Sequence, residues 1–284
     1  MRKHIAFLLL LTLAVLALLV AGCGRAAAPT PTSPPPPTAT IAPPPPTPEP
    51  AAAIPDLGGR EVRIAVENAY PPFNVIDKDS GEGVGWDYDA WREICSRLNC
   101  SPVFVETAWE GIFEAAAAGE FDVAADGITI TDERKKVVAF SDPYMEYGQV
   151  ILVRADEADI QDKDSLVALT DKVIGVQLGT TNEATAIKLV GEGRIQSFDT
   201  FDLPVSALMS GDVDAVIIDE VAAVGFMNEN LGKLKIAGPR VTAGEFLGFV
   251  FQQGSDLIEP TNMVLEAMQA DGTLDQLFDR WFRP

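Results

Sequence analysis

The residues best suited to chemistry stand just after apolar runs. Arg134 closes the string Gly127-Ile-Thr-Ile-Thr-Asp-Glu-Arg134. A guanidinium near a helix start can hold a carboxylate through two parallel hydrogen bonds. In the same string Gly127 admits close backbone approach, Thr129 offers a hydroxyl, and Thr131 can cap a helix carrying Arg134. Gly179-Thr-Thr-Asn182 opens a predicted helix, whose free N–H groups make an anion site. Asp219 ends another apolar run, and its carboxylate suits an ammonium. In Glu67-Asn-Ala-Tyr-Pro-Pro-Phe73 two prolines stiffen the chain behind Tyr70 and hold its ring in place. Donors on one side and acids on the other complement a small zwitterion.

Several chemistries are excluded at once. The only histidine among the 284 residues is His4. It falls in a segment expected to be removed, so the mature chain has no Ser-His-Asp triad, no Cys-His pair and no His-ligated zinc. No metal site and no cofactor is expected. The 21 Lys plus Arg face 42 Asp plus Glu, a net charge of −21. Such a chain cannot neutralise a phosphate backbone, which argues against nucleic acid as a partner. The 47% hydrophobic content fits a globular protein.

The elements that must position these groups alternate between strand and helix. Apolar runs predict strands at Val62–Glu67, Val103–Glu106, Phe121–Gly127, Gln149–Val153, Val173–Leu178, Val213–Asp219 and Leu247–Phe251. Asp87 to Leu98 carries Ala90, Trp91, Ile94 and Leu98 on one helical face. Helices are also predicted from Ile112 to Ala118, Asn182 to Val190 and Val205 to Ser210, each stopped by a glycine. Two more run from about Asp256 to Ala270 and from Leu274 to Phe282. A weak repeat organises the whole. Glu61-Val-Arg-Ile-Ala-Val66 resembles Lys172-Val-Ile-Gly-Val-Gln177, and the Gly-acid-apolar-Asp string after Ala118 resembles the one after Ser210. Two similar halves imply an α/β fold of two lobes. Ligands of open α/β sheets bind beyond the carboxyl ends of strands, where the polar groups above lie.

The amino terminus reads as a targeting segment. Arg2, Lys3 and His4 precede the apolar stretch Ile5 to Val20, short for a spanning helix and suited to a secretory signal. It ends in Leu19-Val-Ala-Gly-Cys23, which resembles the lipobox of bacterial lipoproteins. That implies cleavage after residue 22 and a lipid on Cys23. Residues 29 to 50 contain 12 of the 21 prolines, a stretch that cannot enter helix or sheet and samples polyproline II. Residues 23–56 are therefore read as a lipidated stalk. With Cys23 lipidated, Cys95 and Cys100 remain, and an even remainder in an exported chain points to a disulfide.

From Arg60 to the end, the chain resembles the family 3 extracellular solute-binding proteins, the polar-amino-acid-binding components of ABC importers. The resemblance rests on Ala69-Tyr-Pro-Pro-Phe73, Gly85-Trp-Asp-Tyr-Asp89, Trp109-Glu-Gly-Ile112, Gly127 to Arg134, Phe140-Ser-Asp-Pro-Tyr144, Gly175-Val-Gln-Leu-Gly-Thr-Thr181, Asp214-Ala-Val-Ile-Ile-Asp-Glu220 and Asp271-Gly-Thr273 before Trp281-Phe282. It implies a two-lobed periplasmic-binding-protein-like fold of type II, with two hinge strands and a ligand cleft between the lobes. Lobe 1 would combine 57–147 with 245–284, and lobe 2 would span 148–244. By resemblance, Tyr70 and Trp109 sandwich the ligand side chain, while Asp126, Gly127 and Thr129 line the first lobe. Arg134 grips an α-carboxylate with the amides of Thr180 and Thr181, and Asp219 takes the α-ammonium. Glu67 occupies a position whose acid reads the ligand side chain. Asp126 departs from the family pattern, where small residues are commoner.

Other polar and aromatic residues have plainer readings. Trp86 and Trp91 read as packing, Asp142 as a turn residue, and Asp87 and Asp89 as helix-start charges. The leading function is that of a binding protein rather than an enzyme. It would be held outside the cytoplasmic membrane by its lipid alone, monomeric, passing a free amino acid to an ABC permease. One alternative is a dehydratase of aromatic amino-acid precursors on the same fold, with Glu67 or Asp126 as general acid. The other is a sensory ectodomain, disfavoured by the lack of any signalling segment before Pro284. With Arg134 and Asp219 assigned to the backbone groups of the ligand, Glu67 and Asp126 face its side chain. That charge balance repels an acidic side chain and favours a basic one, with a neutral polar ligand such as glutamine still open.

Overall fold

Alternating and continuous apolar runs set the strands, and glycine-stopped helices separate them. The structure, a computed structural model, describes residues 53–283. The signal segment 1–22, Cys23 and nearly all of the 23–56 stalk lie outside the described residues. In chain order the elements begin with β1 (Arg60–Val66), β2 (Ala69–Tyr70), β3 (Asn74–Ile76), β4 (Gly83–Val84), α1 (Trp86–Leu98), β5 (Cys100–Glu106), α2 (Ile112–Ala118) and β6 (Val123–Ala124). The chain continues through β7 (Ala139–Phe140), β8 (Met145–Tyr147), β9 (Gln149–Arg154), α3 (Lys163–Ala168), β10 (Ile174–Gln177), α4 (Thr181–Val190) and β11 (Ile195–Phe198). It ends with α5 (Leu203–Ser210), β12 (Ala215–Asp219), α6 (Glu220–Glu229), β13 (Leu234–Ile236), β14 (Glu245–Leu247), β15 (Val250–Phe251), α7 (Ile258–Asp271) and α8 (Thr273–Phe282).

The strands form two five-stranded sheets of matching design, ordered β5-β1-β6-β15-β7 and β11-β10-β12-β9-β13. In each, three neighbouring strands are parallel and the remaining pairings are antiparallel. Each antiparallel strand next to the parallel set, β15 or β9, is the one by which the chain arrives from the other lobe. The crossing itself is a two-stranded ribbon, with Tyr147 of β8 opposite Glu245 of β14 and Met145 opposite Leu247. The fold is thus the two-lobed α/β arrangement with paired hinge strands.

Central strands covered on both faces need apolar residues throughout, and β10 and β12 are buried at every position. The first lobe has an aromatic core. Trp86 and Trp91 are fully buried, Trp86 lying 5.4 Å from Phe278 of α8 and Trp91 5.2 Å from Phe249. Both tryptophans are packing residues, as the sequence indicates. Cys95 near the end of α1 is bonded to Cys100 at the start of β5, with Asn99 in the left-handed conformation between them. Among the described residues no helix is long and apolar enough to cross a membrane.

Some expected elements differ. The predicted strand Phe121–Gly127 pairs only at Val123–Ala124, because the chain then turns into the cleft. The predicted strand Leu247–Phe251 divides into β14 and β15, since the chain leaves the hinge ribbon before entering the sheet. Arg134 stands in a short 3-10 turn, 134–136, rather than in a helix, although the Thr131 hydroxyl does accept its backbone N–H at 3.2 Å. Asp87 is no solvated helix-start charge. It is fully buried and accepts a hydrogen bond from Asn74 Nδ2.

Candidate functional site

The carboxyl ends of the parallel strands in both sheets converge on one cleft. From the first lobe come Glu67 after β1, Tyr70 on β2, Trp109 after β5, Asp126, Gly127 and Thr129 after β6, and Arg134. From the second come Thr180 and Thr181 at the start of α4, and Asp219 at the end of β12. All ten line a single cavity between the strand ends. The cavity also has three walls that the sequence analysis did not single out: Gln177, Asn182 and Phe201. Gln177 and Asn182 looked like ordinary strand and helix-start residues. Phe201 lies in an unassigned span between β11 and α5.

The lobes meet across this cavity. The Tyr70 hydroxyl donates to Asp219 Oδ2, and Gln177 Nε2 donates to Glu67 Oε1 at 2.6 Å. The Thr129 and Thr181 hydroxyls lie 3.3 Å apart. Phe201 stacks on the Tyr70 ring with centroids 4.0 Å apart. Behind Tyr70, Gly225 of α6 lets that helix sit against the cleft loop. A Cβ there would lie 3.0 Å from the Pro71 carbonyl oxygen. Gly127 serves the other side of the ring: its φ of 54° and missing Cβ leave room for Tyr70 Cε1, which a Cβ would approach to 2.4 Å.

The charges divide into two ends. At one, Arg134 Nη1 donates to the Thr129 carbonyl at 2.8 Å, and the guanidinium lies over the Trp109 ring at 5.2 Å. Burial lowers its pKa to about 10, which leaves it cationic at neutral pH. Among the described residues no carboxylate pairs with it. Thr180 caps α4 by accepting the N–H of Glu183 at 3.2 Å, and the N–H of Thr181 is one of those a helix start leaves free. Donors without an acceptor therefore gather around Arg134. Asp219, fully surrounded, accepts from Asn182 Nδ2 at 2.8 Å as well as from Tyr70, and burial raises its pKa to about 6.

At the other end Glu67 and Asp126 stand close together, with no cation paired to either among the described residues. Burial, then the charge of Asp126, pushes Glu67 up to about 9, and burial pushes Asp126 up to about 7. Two carboxylates that cannot both ionise cheaply form a place for a positive charge. Among the described residues no group of three or more His, Cys, Asp or Glu side chains is placed to hold a metal ion.

Comparison with known proteins finds relatives in both sequence and structure. The profile of the bacterial extracellular solute-binding proteins, family 3, matches residues 62–284. The L-cystine-binding protein TcyJ of Escherichia coli K12 is 29% identical over 221 residues, covering 77% of this chain and 81% of that protein. The histidine-binding periplasmic protein of Salmonella typhimurium is 32% identical over 243 residues, covering 81% of this chain and 89% of its own. Among solved structures, an ancestral arginine-binding protein bound to glutamine is 37% identical, with a TM-score of 0.73 over 79% of this chain and 98% of that one. The arginine-, lysine-, histidine-binding protein ArtJ from Geobacillus stearothermophilus is 32% identical, with a TM-score of 0.72 over 79% and 96%. The ancestral amino acid-binding protein AncCDT-1, a precursor of cyclohexadienyl dehydratase, is 34% identical, with a TM-score of 0.72 over 78% and 95%.

Proposed function

The chain belongs to the bacterial extracellular solute-binding proteins, family 3, and from that premise we propose that it captures a free amino acid with a cationic side chain. Capture closes lobe 2, residues 148–244, over lobe 1, residues 57–147 with 245–284. The closed form then delivers its ligand to the permease of an ABC importer. A ligand shifts such a two-state equilibrium only by its differential affinity, and here the closed state alone brings both sets of donors and acids together. Cys23 carries lipid, residues 23–56 act as a spacer, and the protein works as a monomer on the outer side of the cell membrane.

In this reading Arg134 and the amides of Thr180 and Thr181 take the α-carboxylate, and Asp219 takes the α-ammonium. Glu67 and Asp126 take the cationic end of the side chain, whose stem lies by Tyr70 and Trp109. The observation that carries it is the distribution of unpaired ionisable groups. Among the described residues Arg134 has no carboxylate partner and Glu67 and Asp126 have no paired cation, so a zwitterion with an added positive charge completes both ends. The names of the relatives, which include binders of arginine, lysine and histidine, support the same class.

Thermal-shift screening of the amino acids, then calorimetry on the hits, tests the proposal. Arginine or lysine is expected to bind most tightly, with glutamine weaker. Tighter binding of glutamate or aspartate would overturn it. The likeness to AncCDT-1, an amino acid-binding precursor of cyclohexadienyl dehydratase, together with the raised pKa of the buried acid Glu67, favours one second reading, a dehydratase of cyclohexadienyl compounds. Recovery of such a compound unchanged after incubation with the protein removes that reading.

A further inference from the structure

Behind the acidic end of the cavity lies a second, deeper acid joined to the first through one amide. Asn74 and Asp87 are 0% exposed and Asp126 is 2% exposed. Asn74 Nδ2 donates one hydrogen to Asp126 Oδ1 at 2.8 Å and the other to Asp87 Oδ2 at 2.9 Å. Its Oδ1 accepts the backbone N–H of Asn68 at 2.7 Å. Every bonding position that fixes the amide's orientation is therefore occupied, and a flipped amide would set its oxygen against two carboxyl groups. The outward oxygens, Asp126 Oδ2 and Asp87 Oδ1, are buried without a protein partner.

We propose that Asn74 and Asp87 are positioning residues that hold Asp126 in place and set its charge, and thereby the preference of the pocket for a cationic over a neutral ligand side chain. Where ligand is concerned, this rests on the function proposed above. The logic is electrostatic. No ion pair reaches Asp87, Asp126 or Glu67 among the described residues, so the only donor given to Asp126 by a side chain is the Asn74 amide. A hydrogen bond to the ionised form favours ionisation, and a like charge nearby opposes it. Asp87 lies deeper, and burial raises its pKa well above the ordinary carboxylate range. Burial opposes its ionised form, and through its acceptor oxygen it anchors the Asn74 amide. Asp126 is left as the member of the pair that ionises when a cation arrives.

The groups that face this pair come from several elements. Glu67 follows β1, Tyr144 follows β7, and Arg134 and Asp219 stand farther round the same cavity. Asp202, before α5, faces Glu67 from the second lobe. Only Arg134 is cationic, and it belongs to the opposite end of the cavity.

The test uses the full chain with carboxyl-labelled aspartate, following Asp126 by NMR during a pH titration without ligand and assigning its signal with Asp126→Asn. In Asn74→Leu the midpoint of Asp126 is expected to move to higher pH. Asp87→Asn, which keeps the acceptor for the Asn74 amide and cannot ionise, is expected to leave it near the wild-type value. Calorimetry then compares arginine with glutamine. At about pH 7, Asn74→Leu is expected to lose roughly tenfold or more in arginine affinity while glutamine changes less than about threefold, and arginine affinity recovers toward about pH 9. An unmoved Asp126 titration in the folded variant overturns the inference. So does an equal loss of both ligands at every pH, the mark of a merely structural role. If Asn74→Leu does not fold, Asn74→Ser, which removes one of the two donor bonds, carries the same comparison. Wild-type protein that binds neither ligand overturns the capture reading and the specificity role with it. The ligand-free titration decides the charge-setting role in either case.

Discussion

Tyr70 of the first lobe donates its hydroxyl hydrogen to Asp219 of the second, so the acid proposed to take the ligand ammonium already links the two sides of the cleft. The bond has two consequences. It supplies a closing contact that needs no ligand, and a ligand ammonium must share Asp219 with Tyr70 and Asn182. In Tyr70→Phe the ring keeps its stack on Phe201 but loses this contact. The ligand-free protein is then expected to open, which small-angle scattering reads as a larger radius of gyration. Identical scattering from the variant and wild type would show that the contact does not govern closure.

Among the described residues no carboxylate pairs with the buried cation Arg134. Arg134→Ala is expected to abolish tight binding while the fold survives, because losing the charge partner of a desolvated carboxylate costs about 2–5 kcal/mol. Arg134→Lys is expected to restore little, since an ammonium cannot reproduce the planar fork. Calorimetry checks both, and wild-type affinity in the alanine variant would remove Arg134 from the site.

Stability should depend on pH through the acidic end of the cleft. The pKa of Asp126 rises from 3.8 to about 7 on folding and that of Glu67 from 4.5 to about 9. The folded state then holds more protons than the unfolded one within those windows, so stability is greatest at the acid side and falls as pH rises. The melting temperature of ligand-free protein is expected to drop from about pH 5 to about pH 8. The double variant Glu67→Gln with Asp126→Asn should flatten that slope. A melting temperature that rises over this range would contradict the assignment.

Gly127→Ala adds a Cβ where the Tyr70 ring lies and where φ is positive. The expected result is a loss of about 1–3 kcal/mol of stability in chemical denaturation, with weaker ligand binding as Tyr70 is displaced. A variant that binds like wild type would show that the ring can move at no cost to the site.

At the amino terminus, Cys23→Ser is expected to leave the protein unprocessed or to release it from the membrane. Cell fractionation and mass spectrometry of the mature end decide it. Wild-type protein that is wholly soluble with an unmodified Cys23 would count against the anchor.

Arg134, Thr129, the Thr180–Thr181 turn and Asp219 are legible as binding candidates because each follows an apolar run, where a sheet of this class must place polar side chains if it binds anything, whereas Glu67, Trp109 and Asp126 gain their roles only through the family resemblance. Asp87 was not. Its place in the first turn of α1 is the ordinary position of an exposed acid, and only the fold brings Asn74 of β3 against it. Helix α6 escaped for a different reason. Glu220 to Glu229 is nearly uniform in small and apolar residues, so no face stands out, and Gly225 argues against a helix until Pro71 is found beside it. Phe201 carries no local signal at all, because its role is created by Tyr70 from the other lobe.

The strand order also dictates an order of assembly. Every strand of the second sheet falls within one continuous stretch, from Gln149 to Ile236. The first sheet has a gap between β6 and β7 that only Val250 and Phe251 can fill. A chain emerging from its amino terminus can therefore finish the lobe that begins later before it finishes the one that begins first. Until residue 251 is available, β6 and β7 have exposed edges and Trp91 lacks its Phe249 and Phe251 neighbours. Exposed strand edges and an uncovered tryptophan are features that favour association with other chains, so the first lobe is the part of the fold most dependent on its carboxyl-terminal residues.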